Sequence, residues 1–443
     1  MDGGLVQEAG TRRRRAATDA WANRALHVFV ACMKRGICRF CAAPLTLSFA
    51  DLGMSPPSNS YLKVEDLNRM ERFYPLHAWV CEKCFLVQLE EFETPEQIFS
   101  DYAYFSSYSD TWLAHARAYA HAMKKRLGLA SASFVVEIAS NDGYLLQYFV
   151  EQGIPVLGIE PAANVAAVAE KKGVPTLVKF FGTKTATDLA SAGRKADLIL
   201  GNNVLAHVPD LNDFVRGMTV LLKPGGVATM EFPHLLRLMQ ESQFDTIYHE
   251  HFSYLSFLVA EHVFAAHGLT LFDVDEIPTH GGSLRIYARH AANAALPVSN
   301  KVVELRNRER AAGLERADTY RAFADQVRSA KRSLLKFLIG AKEVGKRVVG
   351  YGAPAKGNTL LNYCGVRADL LAYTVDRSPH KQGRFLPGVH IPIHAPERIL
   401  RDKPDYVLIL PWNLQDEVVA QMGAIHAWGG RFVVPIPETR VLD

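Results

Sequence analysis

Short apolar runs alternating with longer amphipathic stretches dominate the chain from residue 133 onwards. Ser133–Ala139 reads as a buried strand leading into the turn Ser140-Asn141-Asp142-Gly143 and then an apolar helix from Tyr144. Val156–Ile159 is the next strand, ended by Glu160, with a helix starting near Ala162. Asp197–Asn203 and Val227–Phe232 repeat the run, the second after a Leu-Lys-Pro-Gly-Gly turn at 222–226. This succession predicts a doubly wound α/β unit. A charged helical stretch, roughly 300–341, precedes a second unit. There the strand Arg347–Gly350 enters the turn Gly350-Tyr351-Gly352-Ala353-Pro354-Ala355-Lys356-Gly357, and Asp376 ends the following strand, Ala372–Val375.

With 443 residues the chain exceeds one hydrophobic core, and two or three domains are expected. The pattern divides it into an extension (1–34), a cysteine-bearing subdomain (35–100), a central α/β domain (101–279) and a second Rossmann-like domain (280–443). The formal charge is +4, but residues 1–33 hold five arginines against Asp2, Glu8 and Asp19, which leaves only +2 elsewhere. So weak an excess argues against a nucleic-acid platform and leaves room for a local basic pocket. No apolar run approaches the roughly 20 residues that cross a bilayer. The expectation is a cytoplasmic protein without a membrane partner. Arg12–Arg15 followed by Ala25–Met33 superficially suggests a targeting segment, but Arg24 and His27 interrupt its apolar part. The segment reads as a disordered extension, or as an upstream start with Met33 as the real beginning.

Candidate chemistry appears first in Cys38-x-x-Cys41 and Cys81-x-x-Cys84. Two such knuckles supply four thiolates able to close a tetrahedron around zinc, with no open coordination position, so the role is structural. Two disulfides are the alternative, although nothing in the sequence points to secretion. Cys364 reads as a buried apolar residue.

The turn at 140–143 carries one glycine, which argues against a dinucleotide pyrophosphate. Glu137 before it suits a cationic, phosphate-free ligand. Glu160 at the tip of the next strand is placed either for the two hydroxyls of a ribose or to cap the helix after it. Gly350-x-Gly352-x-x-Ala355 matches a Rossmann fingerprint loosely, with Asp376 at the position of a ribose-binding acid. Pro354 and Lys356 better fit a turn offering N–H groups and one cation to a phosphate. A degenerate, ligand-free repeat is the other reading.

Asp245-Thr246-Ile247-Tyr248-His249-Glu250-His251-Phe252 concentrates two imidazoles, a carboxyl and a phenol. All can move or polarise a proton near neutral pH. The pair His249 and His251 lacks the helical spacing of a zinc protease, and His249 alone reads as structural.

Taken in order, the cysteine pairs, Glu137–Gly143, Asn202–His207, Tyr248–Phe252, His280-Gly-Gly-Ser-Leu-Arg285 and Tyr351–Gly357 resemble one family closely. It is the sugar C-methyltransferases of deoxysugar pathways such as tetronitrose and mycarose biosynthesis, and the resemblance runs from about Ile37 to the C-terminus. It implies an N-terminal zinc-binding subdomain, a central class I S-adenosylmethionine domain with its Leu-x-Pro-Gly-Gly turn, and a C-terminal Rossmann-like domain. The implied activity is methylation of C3 of a dTDP-4-keto-deoxysugar by a monomer or small homo-oligomer. Carried over by motif, Glu137, Asn141, Asp142, Gly143, Glu160 and Asn202 would hold S-adenosylmethionine, with Phe181 by its adenine. Tyr104, His207, Tyr248, Glu250 and His251 would line the sugar, and Gly352 and Lys356 would serve the nucleotide end.

In that scheme His251 is the base that forms an enolate, Glu250 orients it or stabilises its imidazolium, and Tyr248 and His207 donate to the developing oxyanion. Two departures stand out: Ala139 where glycine is more usual, and His249 where some relatives carry an acid. The rival activity is an NAD(P)-dependent oxidoreductase using the 350–355 turn.

Overall fold

The computed structural model describes residues 36–96, 106–108 and 110–442. The extension at 1–34 and Tyr104 lie outside them.

A four-stranded antiparallel sheet opens the chain, with β1 (Leu47–Ser55), β2 (Tyr74–Val80) and β3 (Val87–Leu89) completed by β9 (Ser253–Tyr254) in the order β1-β2-β3-β9. In β2 Leu76, Ala78 and Val80 are buried and alternate with more exposed residues, the period-two pattern of a sheet covered on one face. That face packs on the helix Ala317–Glu343, whose buried residues Tyr320, Phe323, Val327, Ala330, Leu334, Leu338 and Ala341 recur every third or fourth position. Phe49 stacks on Phe323 with ring centroids 4.5 Å apart. The described apolar residues of the cysteine-bearing subdomain's sheet therefore share one core with this helix. The sheet's apolar face is buried by a helix from the far end of the chain.

The central sheet has seven strands: β4 (Val135–Ile138), β5 (Val156–Ile159), β6 (Thr176–Leu177), β7 (Ala196–Asn202), β8 (Leu222–Pro233), β10 (Leu269–Ile277) and β11 (Ser283–His290). Their order is β10-β11-β8-β7-β4-β5-β6, with β6 to β8 parallel and the β10–β11 hairpin antiparallel. β4 is buried along its length because helices cover both faces of the sheet. The chain runs from β4 to one side and returns to the other, so a crevice opens at the carboxyl ends of β4 and β7. The Pro-Gly-Gly turn is a bulge inside β8, where pairing jumps from Ala196–Leu222 to Leu198–Val227. β11 lies between β10 and β8, so the central sheet continues past the boundary drawn at residue 279.

The third sheet has the order β14-β13-β12-β15-β16-β17, with β12 (Val348–Tyr351), β13 (Thr374–Val375), β14 (Ile393–His394), β15 (Tyr406–Ile409) and β16 (Arg431–Val434) parallel and β17 (Arg440–Val441) antiparallel. The helical stretch before it is two helices, Asn300–Ala311 and Ala317–Glu343, broken where Gly313 takes a left-handed φ of 84°. Only Gln147–Val150 of the expected helix after Tyr144 is α-helical. Among the described residues no helix is long and apolar enough to cross a membrane.

Candidate active site

The crevice at the ends of β4 and β7 gathers buried polar groups that the protein leaves unsatisfied. Both oxygens of Glu137, Ser140 Oγ, Asp142 Oδ1 and both polar atoms of the Asn202 side chain lack a well-formed hydrogen bond. Orphaned groups on this scale destabilise a fold unless a ligand meets them. Burial raises the proton affinity of Glu137 well above the usual carboxylate range, with Glu160 and Asp142 adding repulsion. A cationic ligand reverses that, and S-adenosylmethionine carries an ammonium and a sulfonium.

The turn that shapes the crevice is strained. Ala139 and Asn141 hold left-handed φ of 56° and 49°, and a Cβ on Gly143 (φ 75°) would come 3.0 Å from Val174 Cγ2. Asn141 Oδ1 accepts from Ser106 N at 2.9 Å, and Asp142 Oδ2 pairs with Lys172 Nζ at 3.1 Å. The Glu160 carboxylate accepts from Asn141 N at 3.0 Å and from Ala162 N at 2.9 Å, which fixes it between the turn and the start of the following helix. Phe181 is half-buried and meets Phe214 edge to face at 5.3 Å.

The segment 245–252 runs alongside. Phe252 N donates to Ala206 O at 2.7 Å, tying the segment to the turn Leu205–His207 that leaves β7. The His251 ring lies 4.7 Å from that of His207 and 4.0 Å from that of Tyr248. His251 Nδ1 stands 3.0 Å from the Thr246 carbonyl, so Nδ1 carries the proton and Nε2 the lone pair. Burial, then the neighbouring His207, keeps the imidazole neutral far below its ordinary range. A backbone carbonyl therefore orients the ring, the part expected of Glu250, whose carboxyl instead bonds Asn59.

His207 also departs from expectation. One ring nitrogen hydrogen-bonds the backbone of Glu250, so the N–H of the neutral ring is committed there rather than to a substrate oxygen. Burial lowers its pKa to about 4.

Side chains from both flanking domains hold the segment. From the first sheet's region, Asn59 Nδ2 donates to Glu250 Oε1 at 2.7 Å, and His249 Nε2 lies 3.2 Å from Pro75 O, with its ring edge-on to Tyr74 and Phe92. His249 is thus a staple between domains. From the C-terminal domain, Trp412 Nε1 donates to Asp245 Oδ2 at 2.7 Å and Thr359 Oγ1 to Ile247 O at 3.1 Å. Burial raises Asp245 to about 6, while Lys356 and Trp412 oppose the rise.

Sequence reasoning gave no role to Asn59, Trp112, His115, Glu231, His280 or Trp412. Glu231 at the end of β8 binds Arg285 Nε at 2.6 Å and His115 Nε2 at 3.0 Å. Burial alone would raise its pKa, but the two partners outweigh it and keep the carboxylate ionised. His115 stacks on Trp112 at 4.9 Å, and Trp112 meets His280 edge to face at 5.4 Å. The His280 motif was the one available signal; the others come from elements whose meeting needs the fold.

The four cysteine Sγ atoms lie within 4.8 Å of one another, with Cys38–Cys84 and Cys41–Cys81 each at 3.5 Å. Zn–S bonds of about 2.3 Å fit such a cluster, whereas disulfide sulfurs would sit about 2 Å apart. All four thiols are free, and Gln88 Nε2 supports Cys38 Sγ at 3.3 Å. Arg39, inside the first knuckle, donates to Pro209 O at 2.8 Å and also reaches Leu89 O; Asn212 Nδ2 returns a bond to Phe40 O at 2.9 Å. The knuckle is thereby fastened to the central domain. Cys364 is buried, as read.

The C-terminal Gly-rich turn is closed rather than open. A Cβ on Gly352 would fall 2.5 Å from Pro411 Cδ, and one on Gly357 would fall 2.9 Å from Leu410 Cβ. Asp376 already accepts from Ala353 N and Ser378 N, each at 2.8 Å. These contacts give Gly352 a packing role and leave the oxidoreductase reading without support. Lys356 points toward the central segment: its Nζ donates to Asn413 Oδ1 at 2.8 Å and lies 4.4 Å from the Trp412 ring centroid.

Three family models match the chain: "Putative zinc binding domain" over residues 38–99, "Methyltransferase domain" over 112–274 and "C-methyltransferase C-terminal domain" over 278–437. C-methyltransferase NovU from Streptomyces niveus is 37% identical over 406 residues, 92% of this chain and 96% of that protein. A ubiquinone biosynthesis O-methyltransferase from Methylobacterium sp. (strain 4-46) is 31% identical over 97 residues, 21% of this chain and 38% of that one. A solved S-adenosylmethionine-dependent methyltransferase from Clostridium acetobutylicum covers 41% of this chain and 92% of its own, with 13% identity and a TM-score of 0.34.

Proposed function

Because this chain belongs to the S-adenosylmethionine-dependent C-methyltransferases, we propose that it methylates C3 of a nucleotide-linked 4-keto-deoxysugar, with dTDP as the nucleotide. S-adenosylmethionine, when bound, supplies an electrophilic methyl group; Glu137, Asn141, Asp142, Gly143, Glu160 and Asn202 would hold it, with Phe181 at the edge of the sheet. Zinc on Cys38, Cys41, Cys81 and Cys84 keeps the knuckles folded.

Carbon becomes a nucleophile only after losing a proton made acidic by a neighbouring carbonyl. His251 suits that proton transfer because its neutral ring presents an Nε2 lone pair fixed by the Thr246 carbonyl. The C3 proton passes to Nε2 and the electron pair delocalises onto the sugar's ketone oxygen. Tyr248, half-buried beside the ring, is the hydroxyl donor to that oxygen, and such a donor contributes roughly 2–4 kcal/mol at the transition state. His207 lines the sugar as a neutral imidazole, and Glu250 supplies a carboxyl that titrates near neutrality. Lys356 adds positive potential for the substrate's negative charge. Tyr104 belongs to the same proposal by resemblance alone.

The observation that carries this reading is the joining of Tyr248–Phe252 to the turn 205–207 at the end of β7, the edge that also bears Asn202. The test incubates the protein with methyl-labelled S-adenosylmethionine and a small panel of nucleotide 4-keto sugars, reading products by mass spectrometry. Label should appear on a sugar carbon, and His251→Asn should abolish transfer while the cofactor still binds. Turnover of that variant within tenfold of the parent would remove His251 as the base.

A further inference from the structure

Asn59 lies on the segment between β1 and β2, in the zinc-bearing part of the chain, far in sequence from the groups that handle protons. Its amide nitrogen nevertheless meets the Glu250 carboxyl at 2.7 Å. We propose that Asn59 is a positioning residue for methyl transfer, contributed by the zinc-bearing subdomain, which fixes the Glu250 carboxyl within the segment that carries His251. The inference rests on the function proposed above and adds to it a residue from a subdomain with no other part in the chemistry.

The geometry fixes which way the amide faces. With Nδ2 toward Glu250 the pair is a charge-assisted donor and acceptor; turned over, Oδ1 would face an ionised carboxylate and repel it. Tyr61, two residues on, anchors the segment to the C-terminal domain. Its hydroxyl donates to Ala353 O at 2.6 Å, and Lys381 Nζ reaches the same carbonyl at 2.9 Å. Ser58 Oγ lies 3.4 Å from Thr359 Oγ1, the hydroxyl that also holds Ile247 O. Residues 58–61 therefore cross-brace the catalytic segment and the third domain.

Several other groups face Glu250. Burial in the cleft raises its pKa to about 7, Asn59 opposes the rise, and Glu93 adds to it. Tyr61 feels its charge, and a His207 ring nitrogen is engaged by its backbone. Among the described residues, Asn59 is the contact that favours the ionised carboxyl. Removing that contact favours the protonated acid.

The experiment compares the parent with Asn59→Ala and Asn59→Asp in the full-length, zinc-loaded protein. Metal content and S-adenosylmethionine affinity should remain those of the parent. The acidic limb of the kcat profile should move to higher pH for Asn59→Ala and further for Asn59→Asp, which sets a second carboxylate against Glu250. At pH 6.5 the expected loss of kcat in Asn59→Ala is about tenfold, recovering toward the parent by pH 8.5. A second measurement needs no sugar: carboxyl titration by carbon-13 NMR, with Glu250→Gln identifying the signal, should show Glu250 ionising at higher pH in Asn59→Ala. An unmoved titration, or a uniform loss at every pH, overturns the proposal. Should the parent fail to methylate any sugar while the NMR shift appears, the reading of function fails and the positioning contact stands.

Discussion

Glu137 is buried at the carboxyl end of β4, facing Glu160 and Asp142, and burial together with their charge favours its protonated form. Binding a cationic cofactor draws out that proton, so binding must compete with protonation. Affinity for S-adenosylmethionine should therefore strengthen as pH rises above the usual carboxylate range, and Glu137→Gln should be weaker and lose this dependence. Calorimetric titrations in two buffers of different ionisation enthalpy would check it, since the parent must release a proton on binding. Equal proton release by parent and variant would place the titrating group elsewhere.

Ala139, next to the same turn, carries a different cost. Its φ of 56° lies in the left-handed region, where a Cβ is disfavoured by roughly 1–2 kcal/mol relative to glycine. Ala139→Gly should thus stabilise the central domain by about 1 kcal/mol, less what the more flexible unfolded chain takes back. Thermal unfolding with and without cofactor would measure it. A fall in Tm would show that the methyl group earns its place by packing.

At the scale of elements, several strands of the two α/β units were legible because parallel strands buried on both faces leave short apolar runs, as at Val156–Ile159 and Val348–Tyr351. The cysteine pairs were legible because ligand spacing is local. What pattern could not show was ownership. β9 is two residues long, and nothing in Ser253–Tyr254 says that it completes a sheet begun at Leu47. The helix Ala317–Glu343 announces an apolar stripe but not the partner, and the hairpin partner β11 falls beyond the boundary placed at 279.

This shared ownership sets the expected outcome of removing zinc. Cys38→Ser together with Cys81→Ser should lose the metal, confirmed by elemental analysis. Arg39, Asn212 and the Leu89–Phe252 backbone bond tie the knuckles to the central domain. Unfolding should therefore begin at lower temperature and take methyl transfer with it. A variant that lacks metal yet keeps the parent's melting profile and activity would show that the knuckles hold without zinc.

Across the whole molecule, the segment 245–252 belongs to the central domain by sequence and to all three by contact. The residues of Tyr248–His251 were readable because proton-handling side chains clustered in one short stretch; Asn59, Thr359 and Trp412 were not, because each is 112 or more positions away from its partner. Trp412 shows why the third domain matters to chemistry even though its Gly-rich turn is packed shut. Its indole N–H holds Asp245, its ring lies under Lys356, and it covers Gly281, where an added Cβ would fall 2.6 Å from Cη2. Trp412→Phe keeps much of the ring and removes only the donor. Asp245, whose Oδ1 already lacks a partner, would then be left with neither oxygen bonded to a side chain, and its pKa, now about 6, would rise further. A lost hydrogen bond to a charged group costs roughly 1.5–3 kcal/mol. We expect kcat to fall about tenfold or more near pH 7, with cofactor affinity unchanged because the crevice at β4 and β7 is untouched. Matching losses in kcat and cofactor affinity would mean that Trp412 supports the whole central domain; loss confined to kcat would mean that it holds the segment 245–251 in register with the turn at His207.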